Sequence, residues 1–241
     1  VGLFLGSAKA IQMAGPAIMI SYALGGFAIF LIMRALGEMA IHDPVAGSFS
    51  RYAQNYLGPL AGYLTGWNYW FLWIVTCMAE ITAVGVYMGV WFPGVSSWVW
   101  ALSALVIMGS VNFIAVKAYG EFEFWFALIK VIAIVLFLVV GSLAIMHLWP
   151  WGEPAVAGMT NLTAQGFMPG GFSSVVTALL GVMFAYMGAE IVTVAAAESK
   201  NPAREIRKAS NSIVWRIILF YVGSMFITVC LIPHNNPLLK D

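Results

Sequence analysis

Long apolar blocks separated by short polar stretches run through most of this chain. Each main block has 20 or more residues, which is about the length that an α-helix needs to cross the hydrocarbon core of a bilayer. Blocks of this length and apolarity predict an all-α protein that spans a membrane several times. The blocks cover approximately residues 17–39, 57–90, 97–116, 121–148, 173–197 and 209–232.

The first apolar block is different, because it is too short to cross a membrane. It runs from Gly2 to Met13, about 18 Å of helix at the usual rise per residue. Gly15 and Pro16 follow it, and proline favours the first position of the next helix. We therefore expect a half-helix at the start of the chain.

Composition supports the membrane assignment and excludes other classes. The chain is 62% hydrophobic and 9% charged, whereas soluble domains are about 25% charged. No Lys/Arg cluster is interleaved with aromatic residues, so a nucleic-acid partner is not expected. The two cysteines lie in apolar runs, and the three histidines lack metal-ligand spacing. We expect no metal, no cofactor and, in the absence of a catalytic motif, no enzyme activity.

The positions of Lys and Arg predict the orientation in the membrane. The connections after the second and fourth spans contain Arg51 and Lys117, and residues 198–208 hold four basic residues. Residues 149–172 hold none. Because basic residues favour the cytoplasmic side, we expect the loop 198–208 to be cytoplasmic and the connection 149–172 to be extracytoplasmic.

Two matched spacings suggest internal symmetry. Gly2 precedes Pro16 by 14 positions, and Gly188 precedes Pro202 by 14 positions. Each pair brackets a half-helix that is followed by a full span. This is the pattern of an inverted repeat in which discontinuous helices one and six meet at the midplane. The first repeat would be residues 1–148 and the start of the second 173–241, within one incomplete transporter domain, 1–241.

Glu190 lies in a segment that is otherwise apolar. No Asp, Glu, Lys or Arg occurs between Glu153 and Glu190. A carboxylate at membrane depth costs about 2.5–3.5 kcal/mol on insertion scales, so such residues usually mark a substrate or ion pathway. Glu190 could orient the substrate or transfer a proton. Alternatively, it caps backbone groups at an opened turn.

Gly188 and Gly2 are candidates for substrate binding through the backbone. Glycine lets a chain leave the helical conformation and expose its N–H and C=O groups. The N-terminus of a half-helix attracts a carboxylate, and freed carbonyls accept hydrogen bonds from an ammonium group. Together they suit a zwitterion. For Gly188, close packing of helices is the alternative.

Two further charged residues lie within apolar spans. Lys130 is about 13 Å inside the fifth span, where desolvation favours a neutral amine that could exchange a proton. A permanent ion pair is the alternative. Glu80, in the third span, could line the pocket or pair with a buried cation. Alternatively, it is solvated in an outer vestibule.

Several segments together resemble the bacterial amino acid permeases, the amino acid transporter family of the amino acid–polyamine–organocation superfamily. The resemblance extends over the whole chain. It implies a LeuT-like inverted-repeat fold, present here as an N-terminal fragment from the second half of helix 1 to helix 7. The matching segments are MRALGEM (33–39), SFSRYA (48–53), GPLAGYLTGW (58–67), VKAYGEFEFWFALIKVIAI (116–134) and MGAEIVTVAAAES (187–199).

The resemblance also implies functional residues. A glycine-rich first helix holds the substrate carboxylate in this family, and Val1 and Gly2 belong to what remains of that motif here. The backbone near Phe184, Ala185 and Gly188 would hold the amino group. Lys130 matches the family lysine that replaces sodium in proton coupling.

From the residues and the resemblance together, we expect secondary active transport of amino acids across the inner membrane, coupled to protons and operating by alternating access. The partners would be an amino acid, a proton and the lipid bilayer. A passive channel or a non-transporting membrane subunit is the alternative. The sequence does not identify the amino acid that is carried.

Overall fold

The computed structural model describes residues 2–3, 5–43, 48–113, 116–148, 158–192, 201–236 and 239, and this part of the chain contains helices and turns but no strand. The all-α class is therefore confirmed. The α-helices are α1 (Ser7–Ala14), α2 (Ile18–His42), α3 (Ser48–Leu57), α4 (Pro59–Trp91), α5 (Ser97–Phe113), α6 (Val116–Ile145), α7 (Gly171–Ala185), α8 (Pro202–Arg216) and α9 (Gly223–Leu231).

The chain forms two compact units, which are described separately. The first comprises Ala53–Ala133 and contains α4, α5 and the first part of α6. In it α4 packs against α5. The second comprises Gly2–Tyr52 and Ile134–Asp241. In it α1, α2, α7, α8 and α9 surround a core that includes Ile18, Tyr22 and Val182.

Within the described residues, four helical segments are long and apolar enough to cross a membrane: Ser7–His42, Pro59–Trp91, Phe124–Ile145 and Arg204–Leu231. Two apolar helices, Ser97–Phe113 and Gly171–Ala185, are shorter. The second of these is shorter than its predicted span, 173–197, because the helix is interrupted at Ala185.

The short first helix is present as expected. It ends at Ala14, because Gly15 has a φ of +60°, a conformation that glycine adopts readily. A single 3₁₀ turn, Gly15–Ala17, then leads into α2. The N–H of Ala17 donates to the carbonyl oxygen of Phe167 at 3.0 Å, which fixes this junction near the start of α7.

The expected seventh span began at residue 209, and this boundary is wrong. The helix α8 begins at Pro202, so residues 202–208 of the expected loop are helical. Proline is well suited to the first turn, where its missing N–H has no helical partner. The buried residues Ile206, Ile213 and Ile217 form one apolar stripe that begins within the basic segment.

Between the second and third predicted spans, Ser48–Leu57 forms the amphipathic helix α3. Its Tyr52 is buried, and the Tyr52 hydroxyl donates to the carbonyl oxygen of Asp43 at 2.7 Å. The fifth span also begins earlier than expected, at Val116 rather than Glu121.

Candidate functional site

The sixth predicted span is broken in its middle. The helix α7 ends at Ala185, residues 186–190 form turns, and helical geometry returns at Ile191 and Val192. Gly188 has a φ of +91°, which an L-residue with a side chain adopts only under strain. The helix interruption that the sequence predicted near Gly188 is therefore present in the structure.

Hydrogen bonds across this interruption have the spacing of turns. The N–H of Met187 donates to the oxygen of Phe184 at 3.3 Å, and the N–H of Ile191 donates to the oxygen of Gly188 at 3.2 Å. Both bonds span three residues, whereas an α-helix has bonds that span four. The regular ladder of α7 therefore does not continue through residues 186–190.

The segment before α1 meets this interruption. Gly2 and Leu3 form a turn, as do Leu5 and Gly6, and the helix begins only at Ser7. A Cβ atom on Gly2 would lie 2.6 Å from the Cα of Ala185 and 2.9 Å from its nitrogen, closer than any side chain can come. Only glycine permits this backbone-to-backbone approach, so the structure brings together the two glycine-containing segments that the sequence selected.

The start of α1 has no side-chain cap. Gly6 occupies the N-cap position, and no side chain there bonds to the first amide groups. The first N–H groups of a helix lack intrahelical partners and carry a partial positive charge. An anionic group could therefore be bound at this helix end, next to the broken end of α7.

Glu190 bonds to the opened turn. Its Oε2 accepts a hydrogen bond from the N–H of Gly188 at 3.0 Å, and the pair is partly buried. This is the capping contact that the sequence left open as an alternative role. This side-chain contact satisfies a backbone N–H of the turn, so Glu190 stabilises the unusual backbone conformation at Gly188.

Three tyrosines that the sequence analysis did not select surround the break. The hydroxyl of Tyr186 donates to the carbonyl oxygen of Tyr22 at 2.8 Å, and both residues are buried. The ring of Tyr186 also lies 4.5 Å from that of Tyr221 and 5.9 Å from that of Tyr22. Because Tyr186 is the first residue of the turns, this contact fixes the interruption to α2.

A glycine on α2 provides the space for this contact. A Cβ on Gly26 would lie 3.0 Å from the hydroxyl oxygen of Tyr186 and 2.4 Å from Cγ2 of Ile217. Ile217 begins a π-helical segment, Ile217–Val222, that joins α8 to α9 and contains Tyr221. Such wide turns occur frequently at functional sites. A tyrosine directly before the predicted break and the Gly25-Gly26 pair could have indicated this arrangement.

Of the other selected residues, two lie at the break, and the rest lie elsewhere or outside the described part. Phe184 and Ala185 form the last positions of α7 and are half-buried. Glu80 on α4 and Lys130 on α6 belong to the first unit, and both are exposed. Val1 lies outside the described residues. Within the described ranges, no three His, Cys, Asp or Glu side chains are grouped as metal ligands.

Comparisons with known proteins agree on one family. The whole chain, residues 1–241, matches the family described as Amino acid permease. It is 61% identical over 238 residues to the uncharacterized amino acid permease YtnA of Bacillus subtilis, covering 98% of this chain and 51% of that protein.

Two other relatives carry names that specify a substrate. The probable GABA permease of Pseudomonas aeruginosa is 48% identical over 99% of this chain and 50% of its own length. The aromatic amino acid transport protein AroP of Escherichia coli K12 is 46% identical over 98% of this chain and 51% of its own length. The chain thus spans about half the length of these relatives. No solved structure matches it.

Proposed function

Because this chain belongs to the amino acid permease family, we propose that the protein containing it transports amino acids across the cytoplasmic membrane by proton-coupled alternating access. The observation that carries this proposal is the contact between the Gly2 backbone and the backbone of Ala185, where α7 is interrupted. Discontinuous helices that meet in this way bind small polar substrates in many secondary transporters.

The backbone around this contact suits both charges of an amino acid. The N–H groups at the start of α1, a helix end without a side-chain cap, would bind the carboxylate. The carbonyl groups of the chain near Phe184, Ala185 and Gly188 would accept hydrogen bonds from the ammonium group. Glu190, bonded to the turn at Gly188, would keep these carbonyls in place and add a negative charge near the ammonium.

The relatives do not single out one substrate. Those named for GABA and for aromatic amino acids are 48% and 46% identical to this chain, so overall identity does not distinguish them. Both substrate classes carry one amino and one carboxylate group. We therefore propose that the same backbone groups bind the amino group and the carboxylate of either substrate class, and that the residues around the rest of the substrate determine selectivity.

Proton coupling is proposed to involve Lys130. It is the one charged residue between Phe124 and Ile145, a segment long and apolar enough to span the membrane. An ammonium in such a segment is costly, so gain and loss of its proton would change the relative energies of the transport states. Glu80 is proposed as a second polar group of the pathway.

Uptake by the intact protein in proteoliposomes tests the proposal. An inward proton gradient is imposed on the proteoliposomes, and labelled amino acids are added one at a time. The panel includes GABA, an aromatic amino acid, a hydroxyl-containing amino acid and a small neutral amino acid. We expect accumulation of at least one of them above equilibrium, and its loss when an uncoupler collapses the gradient. Accumulation that is unaffected by the uncoupler would refute proton coupling, and no uptake of any panel member would refute amino acid transport.

A further inference from the structure

A cleft remote in sequence from the interrupted helices lies between the C-terminal half of α2 and the beginning of α8. Its volume is about 510 Å³, and both walls belong to the second unit. The polar part of its lining consists of Arg34 and Glu38 from α2 and of Arg207, Ser210 and Asn211 from α8. The proposed transport site uses none of these residues.

The charges of the cleft suit a singly charged anion. The Nε of Arg34 lies 3.4 Å from Oε1 of Glu38, and both side chains are largely exposed. Arg207 faces the same space from α8. Two guanidinium groups and one carboxylate leave one net positive charge. A phosphodiester carries one negative charge, and guanidinium groups bind phosphate oxygens with a fork of donors.

The other lining residues are apolar, which favours an amphiphile over a free ion. Phe30, Ile41 and Ile206 form the apolar part of the cleft wall. A site for inorganic phosphate would gain nothing from such walls. A phospholipid would bury glycerol and acyl carbons against them while its phosphate binds the arginines.

Exposed apolar residues continue from the cleft along both helices. Phe27 precedes Phe30 by three positions on α2, and Trp215 follows Asn211 by four on α8, so each lies on the cleft side of its helix. Phe27 is 61% exposed and Trp215 is 67% exposed. These side chains provide an apolar path for acyl chains that begins beside the polar residues.

The two helices run antiparallel, so both paths lead in the same direction. Gly37 of α2 approaches Ile206 near the start of α8, whereas Gly26 approaches Ile217 at its end. Phe27 and Trp215 therefore both lie on the side of Arg34 and Arg207 that leads into the apolar length of the two helices. Basic pockets between membrane helices at the interface are a known type of site for anionic lipid headgroups.

From this arrangement we propose that the cleft between α2 and α8 binds one anionic phospholipid. Its phosphate is held by Arg34 and Arg207, with hydrogen bonds from Ser210 and Asn211. Its acyl chains lie along Phe27 and Trp215. The bound lipid links α2, which anchors the turn at Tyr186, to the beginning of α8.

The test measures the thermal unfolding midpoint of the intact protein in detergent as short-chain phosphatidylglycerol is added. Phosphatidylcholine of the same chain length and inorganic phosphate at matched ionic strength are the comparison probes. We expect a saturable rise with phosphatidylglycerol that neither comparison probe reproduces. An equal rise with phosphatidylcholine, or with inorganic phosphate, would overturn the proposal.

Charge variants locate the site. Arg207→Gln should weaken the apparent affinity for phosphatidylglycerol about fivefold or more, while Arg204→Gln, its matched control on the same helix outside the cleft lining, should leave the affinity within about twofold. Glu38→Gln should strengthen binding, because it removes the negative charge and releases Arg34. Equal weakening by Arg207→Gln and Arg204→Gln, or weaker binding by Glu38→Gln, would refute this site.

Discussion

At the residue scale, the hydroxyl of Tyr186 has the most defined role. It is buried and donates to the carbonyl oxygen of Tyr22, and in this way it fixes the first residue of the opened turn. A hydrogen bond of this kind contributes about 0.5–1.5 kcal/mol net. The rings of Tyr22 and Tyr221 surround it, so removal of the hydroxyl should leave the packing largely intact.

We therefore expect Tyr186→Phe to raise the substrate concentration for half-maximal uptake by about threefold to tenfold, because a free-energy loss of about 1.4 kcal/mol is tenfold in an equilibrium. Uptake kinetics of the intact protein measure this change. Tyr63→Phe on α4, whose tyrosine is exposed, is the control and should behave as the wild type. An unchanged affinity of Tyr186→Phe would show that the hydroxyl does not position the turn.

Glu190 has two separable contributions, a hydrogen bond to the Gly188 N–H and a negative charge. Glutamine keeps an acceptor oxygen but removes the charge. We expect Glu190→Gln to impair uptake, with alanine in its place impairing it further. Kinetics of the two variants, with expression in the membrane matched, make the comparison. Normal kinetics for Glu190→Gln would leave Glu190 with a capping role alone.

At the element scale, Gly188 makes the interruption of α7 possible. Its φ of +91° would strain any residue with a Cβ, at a cost of about 1–3 kcal/mol. We expect Gly188→Ala to lower both the unfolding midpoint and the uptake rate. Gly89→Ala on α4, where a Cβ would meet no other atom within 4 Å, should retain both. Equal behaviour of the two variants would contradict a constrained turn at Gly188.

The two helix interruptions could be predicted from the sequence because each has a local cause. Gly15 and Pro16 end the first helix, and Gly188 marks the second break. The start of α8 was missed because its basic residues look like a loop, although Ile206 begins the buried stripe. The π-helical segment was missed because its wide turn depends on packing between helices, and hydrophobic periodicity does not reveal it.

The tyrosine cluster shows the same limit within the candidate site. A tyrosine in an apolar helix is compatible with ordinary core packing, and only the fold brings Tyr22 and Tyr186 within hydrogen-bonding distance across 164 positions of the chain. By contrast, the close approach of Gly2 to α7 was expected from the matched glycine and proline spacings, because an inverted repeat requires the two broken helices to meet.

At the scale of the whole molecule, the proposed proton-coupled transport requires that substrate binding and proton binding are linked. Lys130 is the proposed proton carrier, so Lys130→Ala should abolish gradient-driven accumulation while exchange of substrate across the membrane continues. Parallel assays of accumulation and of equilibrium exchange separate these two activities. Lys208→Ala, at an exposed position of α8, is the control. Unchanged accumulation by Lys130→Ala would assign coupling to another residue.

The central claim is that the protein binds both charged groups of the substrate, the carboxylate and the ammonium. Competition against uptake by the intact protein tests this claim most directly. The transported amino acid, its methyl ester and its N-acetyl derivative are compared as inhibitors of labelled uptake. Because the start of α1 is proposed to bind the carboxylate and the opened turn the ammonium, only the unmodified amino acid should compete well, with each derivative at least tenfold weaker. Competition by either derivative at the strength of the parent amino acid would contradict the account.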